Sequence, residues 1–167
     1  MPVTDIIKDL DNLTLTITAE FAAPPERVWQ VYADPRQLER IWGPPTYPAT
    51  VVDHSFTPGG RVTYYMTSPD GERFYGFMHL TAVNPYTDFE FDDGFADAEF
   101  NVNPDLPVAH SVYAFEEAAP GTKATYTSRY PSREALQTVI DMGVEEGSTS
   151  AINQIDELLA QAHQPSA

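Results

Sequence analysis

Between Ala49 and Tyr130 the chain falls into six extended runs: Ala49 to Phe56, Gly60 to Thr67, Arg73 to Val83, Thr87 to Asp92, His110 to Glu116 and Thr122 to Tyr130. Most breaks between them are tight turn sequences, namely Pro58-Gly59-Gly60, Ser68-Pro69-Asp70-Gly71, Asn84-Pro85 and Ala119-Pro120-Gly121. Parallel strands need a crossover of about a dozen residues or more. Links this short therefore commit the runs to an antiparallel meander. The Asp/Asn/Pro-rich stretch from Asp93 to Ala109 is longer than an ordinary loop, and a lid or an entrance rim is expected there.

The flanks complete the pattern. From Asn12 to Phe21 the chain alternates, with Leu13, Leu15, Ile17, Ala19 and Phe21 on one side and polar residues on the other, which predicts a strand with one buried face. Pro24-Pro25-Glu26 opens a short helix with Val28, Val31 and Tyr32 on its apolar side. Asp34-Pro35 starts a second one carrying Leu38 and Ile41, which ends at Trp42-Gly43-Pro44-Pro45. Ser132 is the expected N-cap of a last helix with Glu134 in its first turn. There Leu136, Val139, Ile140, Gly143, Gly147, Ala151, Ile155, Leu158, Leu159 and Ala162 recur at threes and fours, predicting one long helix with a continuous buried stripe. The tail Gln164-Pro165-Ser166-Ala167 is expected to fray. No internal repeat or low-complexity linker interrupts the chain, so a single α+β domain over residues 1–167 is expected, with an ordered core from about 11 to 163.

Gly143 and Gly147 lie four apart, so on a continuous helix they share a face, and each costs about 1 kcal/mol of helix propensity relative to alanine. Either close packing of helix on sheet or space for a ligand would require that bare face.

Composition removes whole classes of chemistry. The 167-residue chain has no cysteine, which excludes thiol nucleophiles, thiolate metal sites and disulfides, and fits a cytoplasmic location. With 25 acidic residues against 9 Lys and Arg, the net charge of −16 repels phosphate backbones and anionic lipid surfaces. Neither nucleic acid nor membrane insertion is expected, and Met1 to Leu10 does not read as a signal peptide. Asp88, Glu90, Asp92, Asp93, Asp97, Glu99 and Asp105 follow one another without an intervening base. They do not reproduce a calcium loop and are expected to form a solvated acidic rim. Serine elbows, phosphate-cradling glycine loops and dinucleotide fingerprints are missing, so no cofactor, metal or catalytic set is assigned.

Several short signatures occur in one order: Ala23-Pro24 with Val28-Trp29, Ile41-Trp42-Gly43-Pro44, Pro58-Gly59-Gly60-Arg61, Pro69-Asp70-Gly71, Phe115-Glu116-Glu117, Gly121-Thr122, Ser132-Arg133-Glu134-Ala135, and Met142-Gly143 with Glu145-Glu146-Gly147. In this order they resemble the helix-grip superfamily (START-like, Bet v-like or SRPBCC). Within it they resemble the small bacterial single-domain members of the family named after the activator of the heat-shock-protein-90 ATPase. Ile41-Trp42 stands where that family usually has a double tryptophan. The resemblance implies a seven-stranded antiparallel curved sheet around a long C-terminal helix, with two short helices after the first strand and a mostly apolar cavity inside. It implies no shared catalytic residues.

With strand phases taken from the family, Tyr64, Met66, Tyr75, Phe77, His79 and Phe89 share one face with Phe91, Tyr113, Phe115 and Tyr126, facing the helix beside Trp42. Together with Gly143 and Gly147 these residues are the candidate lining of a cavity for a hydrophobic or aromatic small molecule. His54 and His79 are both expected to point toward apolar neighbours, His79 as a cavity-wall residue and not a metal ligand. Two other readings stand beside the binder. One is a polyketide cyclase or aromatase-like enzyme in which His79 and the tyrosines steer protons. The other is a protein-binding stress or chaperone-cofactor module using the acidic surface.

Overall fold

A computed structural model of the chain describes residues 2–119 and 121–161. Ala162 and the Gln164-Pro165-Ser166-Ala167 tail lie outside these residues, as does Pro120.

The chain opens with a strand that the alternation does not announce. β1 (Val3–Asp9) pairs antiparallel with β2 (Thr14–Phe21). Asp9 makes the turn between them by accepting hydrogen bonds from the backbone N–H groups of Asp11 and Asn12, at 3.1 and 3.0 Å, and Leu13 takes a left-handed φ of 62°. That backbone reversal is why β2 begins at Thr14 and not at Asn12. Two short helices follow, α1 (Pro25–Ala33) and α2 (Pro35–Ile41). The Asp34 side chain accepts from the Arg36 N–H and caps α2.

The meander is then β3 (Ala49–His54), β4 (Arg61–Thr67), β5 (Arg73–Asn84), β6 (Asp88–Ala96), β7 (Ala109–Ala118) and β8 (Gly121–Arg129). All neighbours are antiparallel, and the eight strands lie in the order β1-β2-β8-β7-β6-β5-β4-β3. The sheet thus has one strand more than expected, added at its edge outside β2. The architecture is the α+β helix-grip arrangement, a curved antiparallel sheet holding C-terminal helices. No helix among the described residues is long and apolar enough to cross a membrane.

The last helical region corrects the single long helix. It comprises α3 (Arg133–Asp141), α4 (Val144–Asn153) and α5 (Ile155–Gln161). Ser132 caps α3 by accepting from the Ala135 N–H at 3.0 Å. The main break lies at Gly143, whose φ of 89° no right-handed helix accommodates. At the second break Gln154 keeps a right-handed backbone, and its side-chain amide donates to the Gly43 carbonyl at 2.7 Å, tying the helices to the segment after α2.

Two apolar clusters fill the space between layers. The larger gathers Trp29 and Tyr32 of α1 with Phe89, Phe91 and Phe115 of the sheet and Ile155, Leu158 and Leu159 of α5. The smaller joins Leu15, Ala109 and Tyr130 to Leu136 and Val139 of α3. Burying each large side chain contributes about 1.5–3 kcal/mol.

Candidate functional site

Members of both clusters line a cavity of about 350 Å³ under the α3–α4 break. β2 contributes Leu15 and Ile17, while α1 and the end of α2 contribute Tyr32, Ile41 and Trp42. The meander supplies Tyr64, Met66, Gly76, Asp93, Tyr113 and Tyr126, and the helices supply Val139, Gly143, Gly147 and Ala151. Phe74 and Met142 also line it, and both are about half exposed, so the cavity reaches the surface between β5 and the helix break.

Of the residues expected to line the cavity, Trp42, Tyr64, Met66, Tyr75, Tyr113, Tyr126, Gly143 and Gly147 do so. Gly147 faces open space: a Cβ there would meet nothing within 4 Å. Tyr75 is only partly placed as expected, because its ring packs against Tyr65 and Phe100.

Five residues are placed elsewhere. On β5 it is Gly76, Met78 and Leu80 that face the helices, so Phe77 and His79 point to the opposite, outer face. The outer position of Phe77 is nonetheless buried, beneath the Arg61 guanidinium and beside Val108 of the connection between β6 and β7. From that connection Phe100 and Val108 pack on the outer face, while Pro107 lines the cavity. His79 is exposed and is not a cavity wall. Phe89, Phe91 and Phe115 do point inward but lie within the larger cluster, where Phe89 and Phe115 meet the Trp29 ring edge-on at 5.7 and 6.2 Å. His54 is a hydrogen-bonded histidine, its Nε2 lying 3.0 Å from the Tyr32 carbonyl and its ring stacked on Phe56.

The residue that the alternation did not single out is Asp93. β6 does not end at Asp92 but runs on to Ala96, so the period that puts Phe89 and Phe91 inward continues to Asp93. Asp93 is thus the exception to the solvated acidic rim. Its Oδ1 accepts a long 3.4 Å hydrogen bond from Ser111 Oγ, which is itself 2.9 Å from Ser128 Oγ. Burial raises the carboxyl pKa to about 7; the Ser111 hydroxyl opposes that rise and the adjacent Asp92 charge adds to it. The hydroxyls of Tyr113 and Tyr64 are pushed up by burial and then by Asp93, and the same two causes act on Tyr130. Below them, Tyr32 of α1 donates its hydroxyl proton to the Tyr126 hydroxyl of β8 at 2.8 Å.

The site is therefore an apolar chamber with an aromatic wall and one carboxyl group. No Lys, Arg or His lines it among the described residues.

Comparison with known proteins agrees with this architecture. The family described as Activator of Hsp90 ATPase homolog 1-like protein matches residues 22–160. The crystal structure of protein Ms6760 from Mycobacterium smegmatis is 65% identical, with a TM-score of 0.88 over 95% of this chain and 97% of that one. A solution structure of a protein from Arthrobacter aurescens is 42% identical, with a TM-score of 0.91 over 99% of each chain. Another, from Staphylococcus epidermidis, is 30% identical, with a TM-score of 0.82 over 98% of each. None of the curated proteins matches the chain.

Proposed function

Because this chain belongs to the Activator of Hsp90 ATPase homolog 1-like family, whose fold holds helices against a curved sheet, we propose that it binds a hydrophobic or aromatic small molecule between them. The observation that carries this reading is the cavity itself. Its volume of about 350 Å³ falls within the usual range for small-molecule sites, and its wall is mostly aromatic and aliphatic. A chamber of that size forgoes the close contacts that side chains filling it would make. Gly147 supports the reading further, because an alanine there would meet no neighbour and would favour the helix by about 1 kcal/mol.

An enzyme on this fold would use Asp93, which lines the cavity, and not His79, which is exposed on the outer face. A carboxyl poised near neutral pH inside an apolar chamber, ringed by phenols, has the character of a proton-transfer group. A chaperone-directed role would use the outer acidic surface and leave the cavity without a purpose. The cysteine-free composition supports a cytoplasmic setting.

Native mass spectrometry of protein purified from its source tests the proposal. A noncovalent small-molecule adduct that an apolar probe displaces is the expected result. Protein that is free of adducts and binds no apolar probe would overturn it.

A further inference from the structure

We propose that the guest of this cavity is an amphipathic amine, an apolar and ring-bearing body whose protonated nitrogen sits against Asp93. This inference rests on the cavity being a binding site and deepens that reading by naming the class of ligand.

Asp93 is the one charged side chain of the lining among the described residues. A carboxylate drawn into an apolar chamber is costly unless a counter-charge or several hydrogen bonds meet it. Among the described residues it receives a single long hydrogen bond, from Ser111, and none of those that line the chamber is basic. The counter-charge is therefore left for the guest to bring.

The walls suit a cation as well as the carboxylate does. Trp42 meets Tyr64 at 5.8 Å and Tyr113 at 6.3 Å between ring centroids, and Tyr113 meets Tyr126 edge-on at 4.5 Å. Aromatic rings are suited to meet an ammonium group, which the negative face of a ring attracts. An anionic guest would find no basic partner among the described residues of the lining and would approach a protein of net charge −16, whose field draws cations instead.

The sign of the pH dependence separates an amine from a neutral guest. The groups facing Asp93 are Tyr64 on β4, Ser111 and Tyr113 on β7, Ser128 on β8, and Tyr130 just beyond it, with Asp92 as its chain neighbour. The α3 and α4 residues of the lining carry no titratable side chain. The three phenols are raised above their ordinary range and stay neutral near pH 7, so Asp93 dominates the titration. An ammonium guest selects the carboxylate, so its affinity is full above about pH 7 and falls as pH drops through that value, by up to about tenfold per unit. A neutral hydrogen-bond acceptor selects the protonated acid, and its affinity rises on acidification.

The experiment is calorimetric titration of wild type and Asp93→Asn with 1-naphthylmethylamine and with its uncharged isostere 1-ethylnaphthalene, between about pH 5.5 and 8. The expected result is that the amine binds wild type at least about tenfold tighter than the hydrocarbon at the upper pH. That preference should decline on acidification and vanish in Asp93→Asn, which still binds the hydrocarbon. Equal binding of the two probes, a preference that survives in Asp93→Asn, or amine affinity that rises on acidification would overturn the inference while leaving the cavity a binding site. If neither naphthalene binds folded wild type, the small-molecule reading falls and the inference with it.

Discussion

The Tyr64 ring lies over the bare backbone of Gly76, its partner in the β4–β5 register, so closely that a Cβ on Gly76 would come within 2.5 Å of the phenol carbon Cζ. The glycine lets the ring lie flat against the sheet, where it forms cavity wall instead of filling the chamber. Gly76→Ala must then displace Tyr64, and overpacking of this kind costs about 1–3 kcal/mol. Urea unfolding should show a lower midpoint with an unchanged slope. An unaltered midpoint would mean that the ring moves aside freely.

The Tyr32–Tyr126 hydrogen bond joins α1 to β8 of the sheet, between two residues that line the cavity. Removing either hydroxyl leaves its partner buried and unsatisfied, which costs about 1–3 kcal/mol. Tyr32→Phe and Tyr126→Phe should each destabilise the fold, and the double variant should cost less than the sum of the two. Strict additivity in the double-mutant cycle would show that the hydroxyls do not interact.

Asp93 should leave a mark on stability as well as on binding. Its folded pKa, raised to about 7, lies above the ordinary value of 3.8, so the folded protein binds the extra proton between those values. The stabilising state is thus the protonated one at low pH, and its contribution is lost as pH rises from about 4 through about 7, at no more than about 1.4 kcal/mol per unit. Asp93→Asn removes this dependence and should gain on wild type steadily across the window, then run parallel above it. The exposed His110, raised by Asp92 and Glu90, is common to both proteins and cancels from the difference. A difference in unfolding free energy that is flat with pH would place Asp93 in water.

Much of this fold is legible in the chain because local chemistry and tertiary packing agree. Ser132 and Asp34 cap the helices that their side chains suit, and Phe89 and Phe91 point inward as their alternation requires. β1 escapes notice because Val3, Ile6 and Ile7 do not alternate and stand among Asp5, Lys8 and Asp9 at a sheet edge. β5 misleads for a different reason: both of its faces are apolar. Tyr75 and Phe77 are covered from outside by Phe100, Arg61 and Val108, so a two-residue period cannot tell which face meets the helices. A glycine at helical spacing is equally ambiguous, since Gly143 ends a helix while Gly147 lies within one. Asp93 is concealed by its acidic neighbours, although extending the Phe89, Phe91 period by one step places it in the cavity.

Gly147→Leu offers the sharpest test, because the new side chain enters the open space over the cavity while helix propensity favours the substitution by about 1 kcal/mol. Fluorescence titration of N-phenyl-1-naphthylamine into wild type and this variant compares binding at matched, independently measured stability. Saturable binding by wild type that weakens at least about tenfold in a variant of equal or greater stability is the predicted result. Undiminished probe binding in the folded variant would contradict the account and place the bound probe outside the cavity.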